Sequence, residues 1–133
     1  MERRLFASRG VSCSYVSLRG IHYSTKTYHR GNSQIMLKSG GRIGGSPAII
    51  EYIVIVQDTK AIKTLIGVQR MEPFRAKHDP FSLYPFLHLS LHAYHAGNRL
   101  EFVPLDDIHC HFASLEVCWE GQPATVVTSL DRG

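Results

Sequence analysis

The chain has 133 residues, 44% hydrophobic and 20% charged, which suits one domain with one core and excludes both extended disorder and a catalytic domain joined to a separate regulatory one. Its formal charge of +4 is uneven: residues 1 to 46 hold eight Arg or Lys against Glu2 alone, a local +7, and residues 47 to 133 hold seven against ten acids, a local −3. The longest unbroken apolar run is Tyr52 to Val56, far short of a membrane-spanning helix.

Residues 1 to 15 read as a flexible basic segment and residues 16 to 132 as one β-barrel domain. The first thirty residues have the Arg- and Ser-rich, acid-poor composition of a mitochondrial transit segment. However, Gly10, Gly20 and the strand formers Val11, Tyr15, Val16, Ile21 and Tyr23 oppose the amphipathic helix such a segment needs. A competing expectation is that Met1 begins a chain cut from a longer protein.

Val16 to Tyr23 is expected as a short strand, with Gln34 to Lys38 as its partner after a loop at Arg30–Ser33. Glycines at 40, 41, 44 and 45, followed by Pro47, interrupt pairing. Ala48 to Val56, almost continuously apolar, predicts a strand buried on both faces. A turn at Asp58–Lys60 brings back Ala61 to Arg70, with Ile62, Ile66 and Val68 on one face and Gly67 at a bulge. Pro73, Pro80 and Pro85 make residues 72 to 80 a surface loop.

Leu87, Leu89, Leu91 and Ala93 alternate with His88, Ser90, His92 and Tyr94, so one face of this strand belongs to the core and the other meets water or a neighbour. Gly97-Asn98 is expected to turn the chain into a short strand at Leu100–Val103, and Pro104–Asp107 to form one helical turn. Ile108 to Cys118 and Ala124 to Leu130 then pair across Gly121, which supplies positive φ. The fold class is all-β: a small antiparallel, partly open barrel of about seven strands.

The chemistry-bearing residues do not gather. His88, His92 and His95 would share a face on a helix but are split by a strand, and Cys110 faces away from His109 and His111. Cys13, Cys110 and Cys118 form no C-x-x-C pair, which argues against a disulfide framework and fits a reducing, intracellular setting. Asp106 and Asp107 suit a turn, and the glycines near residue 40 open no helix. No catalytic, metal or cofactor residues are assigned. The residues named for nucleic-acid contact are Arg19, Lys26, Arg30, Lys38 and Arg42.

Three stretches carry a family resemblance: Val16–Tyr23 with Asn32–Met36; Gly41–Ile43 or Ile49–Ile53 followed by Thr64–Arg70; and Val103–Ser114 with Val127–Arg132. Together they resemble the C-terminal tail domain of fungal transposon-encoded proteins of the CACTA or En/Spm transposase type. That tail is similar in strand order to bromo-adjacent homology and other Src-homology-type small barrels. The resemblance covers residues 16 to 132 and implies no catalytic residue, since the acidic triad of such transposases has no counterpart here.

The expected function is therefore a soluble, nuclear, non-catalytic binding module of transposon origin that contacts protein or chromatin. The alternatives are nucleic-acid binding through the basic N-terminal third and a small metal-dependent enzyme built on the histidines.

Overall fold

The computed structural model describes residues 9–38, 46–57, 60–74, 81 and 89–131. They form nine strands: β1 (Arg9–Cys13), β2 (Tyr15–Leu18), β3 (Ile21–Ser24), β4 (Gln34–Leu37), β5 (Ser46–Gln57), β6 (Ile62–Pro73), β7 (Leu89–Pro104), β8 (Ile108–Trp119) and β9 (Gln122–Ser129). The only helical pieces among the described residues are 3₁₀ turns at Gly31–Ser33 and Leu105–Asp107, the second where Pro104–Asp107 predicts one. The all-β class holds.

One sheet runs β1-β5-β4-β8-β9-β7-β6, and pairing of β5 with β6 closes its last six strands into a ring. All of its pairings are antiparallel. The expected partly open barrel of about seven strands is this seven-stranded sheet, six of whose strands close into a bulged ring. β1 lies outside the ring on β5, and β2–β3 form a separate hairpin. Closure leaves fewer edges exposed than an open sheet does.

Both tight hairpins use the same device. Arg19 and Gly20 have φ of 52° and 78°, and Glu120 and Gly121 have 51° and 77°. Two consecutive positive φ values define the two-residue turn whose twist matches paired strands. The turn at 120–121 was expected. The one at 19–20 splits the predicted Val16–Tyr23 strand into β2 and β3, which pair with each other from Tyr15↔Ser24 to Leu18↔Ile21. β4 sits where Gln34–Lys38 predicts a strand, but its partners are β5 and β8.

Other expectations need correction. The sheet begins at Arg9, upstream of the boundary expected at residue 16, because β1 pairs with β5 from Arg9↔Gln57 to Cys13↔Ile53. β6 continues through Glu72 and Pro73, which were expected in a loop. Its β5 partner ends at Arg70, so Pro73 removes no ladder donor on that side. Ile62 is exposed while Ile66 and Val68 are fully buried.

Gly97-Asn98 does not reverse the chain. β7 runs straight through, and its pairing steps from Leu100↔Gln69 to Ala96↔Met71 to His92↔Pro73, four residues on β7 against two on β6 each time. The excess is absorbed as bulges. On the face of β7 expected to meet water or a neighbour, His92 is 2% exposed and so meets neighbours. The glycines at 40 to 45, Asp58, Thr59, Pro80, Pro85, Leu87 and His88 lie outside the described residues.

Two apolar clusters occupy opposite faces of the sheet. The first contains Tyr23, Ile35, Leu37, Ala48, Ile50, Ile53, Ile66, Val68, Val103 and Ile108, and the hairpin residues Val16 and Leu18 pack on it. The second contains Met36, Met71, Cys110, Phe112 and Val127, with Ile49 against it. Neighbours such as Met36 and Leu37 fall in different clusters, so β4 and β5 bury both faces, the arrangement that the apolar run Ala48–Val56 predicts. Register shifts at Glu51 and near His109 re-aim side chains between the two faces.

Candidate functional site: a cleft inside the ring

A cleft of about 490 Å³ opens on the face of the second cluster. Five of the six ring strands contribute to its wall: Gln34 from β4, Ile49 and Glu51 from β5, Gln69 and Met71 from β6, Phe112, Ser114 and Glu116 from β8, and Thr125 from β9. Lys26, Arg30 and Ser33 from the β3–β4 connection complete it. Its volume and its mixture of an apolar floor with a few polar groups are those of a ligand site.

The connection straps across the mouth and is tied on two sides. On the β5 side, the Lys26 amide donates to the Ile50 carbonyl at 2.9 Å, and Lys26 Nζ lies 3.1 Å from Glu51 Oε2. On the β8 side, Arg30 Nη2 donates to Glu116 Oε1 at 2.8 Å, and Gln34 Nε2 donates to Ser114 Oγ at 3.0 Å. Ser33 is fully buried, and its hydroxyl donates to the Arg30 carbonyl at 2.6 Å, fixing the bend between strap and β4. Glu51 is the extra residue of the β5 bulge. The register passes from Ile50↔Val68 to Tyr52↔Gly67 without a partner for it, and its carboxylate is thereby delivered to the cleft.

The two ion pairs differ in setting. Arg30 and Glu116 side chains are 70% and 42% exposed, a geometry in which an ion pair contributes about 0–1 kcal/mol. Glu51 is only 20% exposed and is held more firmly by its surroundings. Within the cleft, Lys26 and Arg30 are balanced by Glu51 and Glu116, and the remaining polar lining is Ser, Thr and Gln.

The basic residues named from sequence separate into two groups. Lys26 and Arg30 meet at the cleft. Arg19 instead donates through Nη2 to the Ile108 carbonyl at 2.7 Å, pinning the β2–β3 turn to the start of β8. Lys38 is nearby and exposed, with its amide donating to the Asp107 carbonyl at 2.8 Å. Arg42 lies outside the described residues.

The histidines diverge. His92 shares a 2.8 Å hydrogen bond between Nε2 and Ser90 Oγ, and His109 Nε2 lies 2.8 Å from Asp131 Oδ2. His111 stacks on Tyr23 with ring centroids 4.4 Å apart. Burial lowers the His111 pKa from its ordinary 6.5, opposed by the backbone at Asn32 and His22, and its Nε2 is enclosed without a hydrogen-bond partner among the described residues. Burial likewise raises the Tyr23 phenol. Among the described residues no group of three or more His, Cys, Asp or Glu converges on a point where a metal ion could sit. Cys110 is buried, with Sγ 3.1 Å from Ser129 Oγ.

Sequence reasoning missed Glu51, Gln69, Ser114 and Glu116. One signal was present: Glu51 is the single charge inside the apolar stretch Ala48–Val56, and a lone carboxylate in a buried strand needs a partner or a cavity. No protein family, curated protein or solved structure matches the chain. Among the described residues no helix is long and apolar enough to cross a membrane.

Proposed function

We propose that the protein is a non-catalytic binding module whose cleft receives a segment of a partner protein. The observation that carries this reading is the cleft itself: an apolar floor of Ile49, Met71 and Phe112 beneath a rim of amides, hydroxyls and ion pairs. Such a lining recognises a chain that presents both side chains and backbone polar groups. The transposase-tail origin, the likeness to bromo-adjacent homology barrels and a nuclear, chromatin-linked role belong to this proposal on the sequence resemblance alone. A photo-crosslinking residue at Gln69, inside the cleft, is expected to capture a discrete protein in cells, whereas the same residue at exposed Leu115 does not. Capture of nucleic acid at Gln69, or identical products from both positions, contradicts the reading.

One observation favours nucleic acid as a second reading. Tyr15 and Tyr28 lie with ring centroids 5.3 Å apart, both more than half exposed, in the neighbourhood of Lys26 and Arg30. Aromatic rings beside cations can stack bases and hold phosphates. That reading predicts binding of single-stranded DNA that falls steeply with salt and has a shallower salt slope once Lys26 and Arg30 are changed to Gln. Arg19, with its guanidinium held by Ile108, contributes little to it.

A further inference from the structure

The cleft balances its own charges. Lys26 Nζ lies 3.1 Å from Glu51 Oε2 and Arg30 Nη2 lies 2.8 Å from Glu116 Oε1, one cation to each carboxylate. A charged group entering here would give up water and meet only ions that are already matched, an unfavourable exchange. What the cleft leaves open is neutral. Gln69 lines it from β6, half-buried, and among the described residues its carboxamide makes no hydrogen bond. Gln34 donates from Nε2 to Ser114 Oγ at 3.0 Å, and its carbonyl oxygen makes none among the described residues. Gln34 stands opposite Ile49 and Ile49 opposite Gln69, so the two glutamines flank the isoleucine in one row across β4, β5 and β6, roughly 10 Å apart at the backbone. Met71, two residues along β6 from Gln69, continues the apolar floor on the same face.

We infer that this row is a receptor for an uncharged primary carboxamide on an aliphatic stem: the partner segment inserts a glutamine side chain, which pairs with the Gln69 carboxamide above Ile49 and Met71. The inference rests on the binding reading above and names the group that the cleft selects. A volume of about 490 Å³ holds such a side chain together with the backbone that carries it.

Hydrogen-bond geometry decides between the neutral groups. A primary carboxamide carries two N–H donors and a carbonyl, with one N–H on the same edge as the carbonyl. Two such groups therefore close a ring of two hydrogen bonds, each donating to the other. A trans peptide unit holds its N–H and C=O on opposite edges and meets Gln69 with one bond at a time. A carboxylate only accepts and an ammonium only donates, so each leaves half of Gln69 unanswered besides bringing a charge. The methylenes of a glutamine suit the floor of Ile49, Met71 and Phe112, and the Gln34 carbonyl across the row is an acceptor for the second N–H. An occupant displaces water from Gln69, so one that cannot both donate and accept leaves that amide unpaired and is rejected.

The test is NMR titration of the intact chain with short alanine peptides, acetylated at one end and closed with an N-methylamide so that the ends carry neither a charge nor a primary amide. The central residue is Gln, Glu, Lys, Met, or a Gln methylated on its side-chain nitrogen, where the methyl occupies the pairing edge. The Gln peptide is expected to shift the Gln69 side-chain NH₂ and the methyls of Ile49 and Met71, and to bind about tenfold or more tighter than each of the others. Gln69→Leu, which keeps the floor apolar, removes this preference, so that the Gln and Met peptides bind alike; should that variant fail to fold, the peptide series on the parent chain still decides. No binding by the Gln peptide, equal binding by the Glu, Lys, Met or methylated peptide, a preference that survives Gln69→Leu, or butanamide binding as tightly as the whole Gln peptide overturns the inference. A crosslinker placed at Gln69 loses the bond but keeps the contact, and its capture is covalent. If the Gln peptide shows no preference while that crosslinker still captures a protein, carboxamide recognition falls and the binding reading stands; if both fail, both fall.

Discussion

The two apolar clusters share strands yet are finished differently. The cluster under the β2–β3 hairpin is closed: Ile50, Ile53, Ile66 and Val68 are completely enclosed, and Tyr23 packs with them. The cluster on the other face stops short of closure. Phe112 and Met71 end at a cleft whose remaining wall is polar and whose cover is a strap held by two ion pairs. One face thus carries stability, and the other trades burial for an opening. The difference arises from local backbone choices, a hairpin turn at Arg19-Gly20 on one side and an unextended β4 on the other.

The sharpest way to break this comparison is to truncate both floors. Ile66→Ala is expected to cost about 2–5 kcal/mol in urea unfolding, toward the upper end because no water can enter the void. Met71→Ala should fall at the low end, about 2 kcal/mol, since its void opens on the cleft. Equal losses would show that the two faces are not distinct.

Next in size is the pin between hairpin and ring. Arg19→Ala removes a charge-assisted bond to the Ile108 carbonyl and should cost about 1.5–3 kcal/mol by the same measurement. No loss of stability would mean that the hairpin is held by Tyr23, Val16 and Leu18 alone.

Acid should act on the hairpin face through His111. Because burial lowers its pKa in the folded chain, the unfolded chain takes up the proton first as pH falls. The stability linked to this residue is therefore complete above the ordinary 6.5 and is lost as pH drops from there toward the lowered folded value. Thermal unfolding of the parent should show this decline, and His111→Phe, which keeps the ring on Tyr23, should flatten it. An unchanged acid slope in the variant would assign the response to other groups.

The smallest effect belongs to the strap. Arg30→Gln is expected to change stability by less than about 1 kcal/mol because its ion pair with Glu116 is exposed. Guanidinium or urea titration yielding a larger loss would make the strap a structural element instead of a removable cover.

Much of the strand content was legible because residue alternation and apolar runs report burial directly. Ala48–Val56, Ile108–Cys118 and the turn at Gly121 lie where the pattern puts them. The turn at Arg19-Gly20 was hidden by β-branched and aromatic neighbours on both sides, although glycine at the second position of a two-residue turn was the available signal. Gly97-Asn98 misled in the opposite sense: the same residue types that reverse a chain also build bulges, and only the partner strand decides which. Partner choice was not legible either. β4 pairs with strands distant in sequence, and nothing local encodes that. The cleft followed from two such non-local facts, the bulge at Glu51 and the early end of β4, so only Lys26 and Arg30 among its lining residues were named in advance.

Native-state hydrogen exchange reads the cleft wall formed by β8 amide by amide, because Ser114 and Cys118 stand at positions without a cross-strand bond to β9. In the free protein, the Ser114 and Cys118 amides should exchange far faster than those of Leu115 and Val117 between and beside them, giving an alternating pattern along a single strand. Equal protection of the Ser114, Leu115, Val117 and Cys118 amides would contradict the open cleft wall.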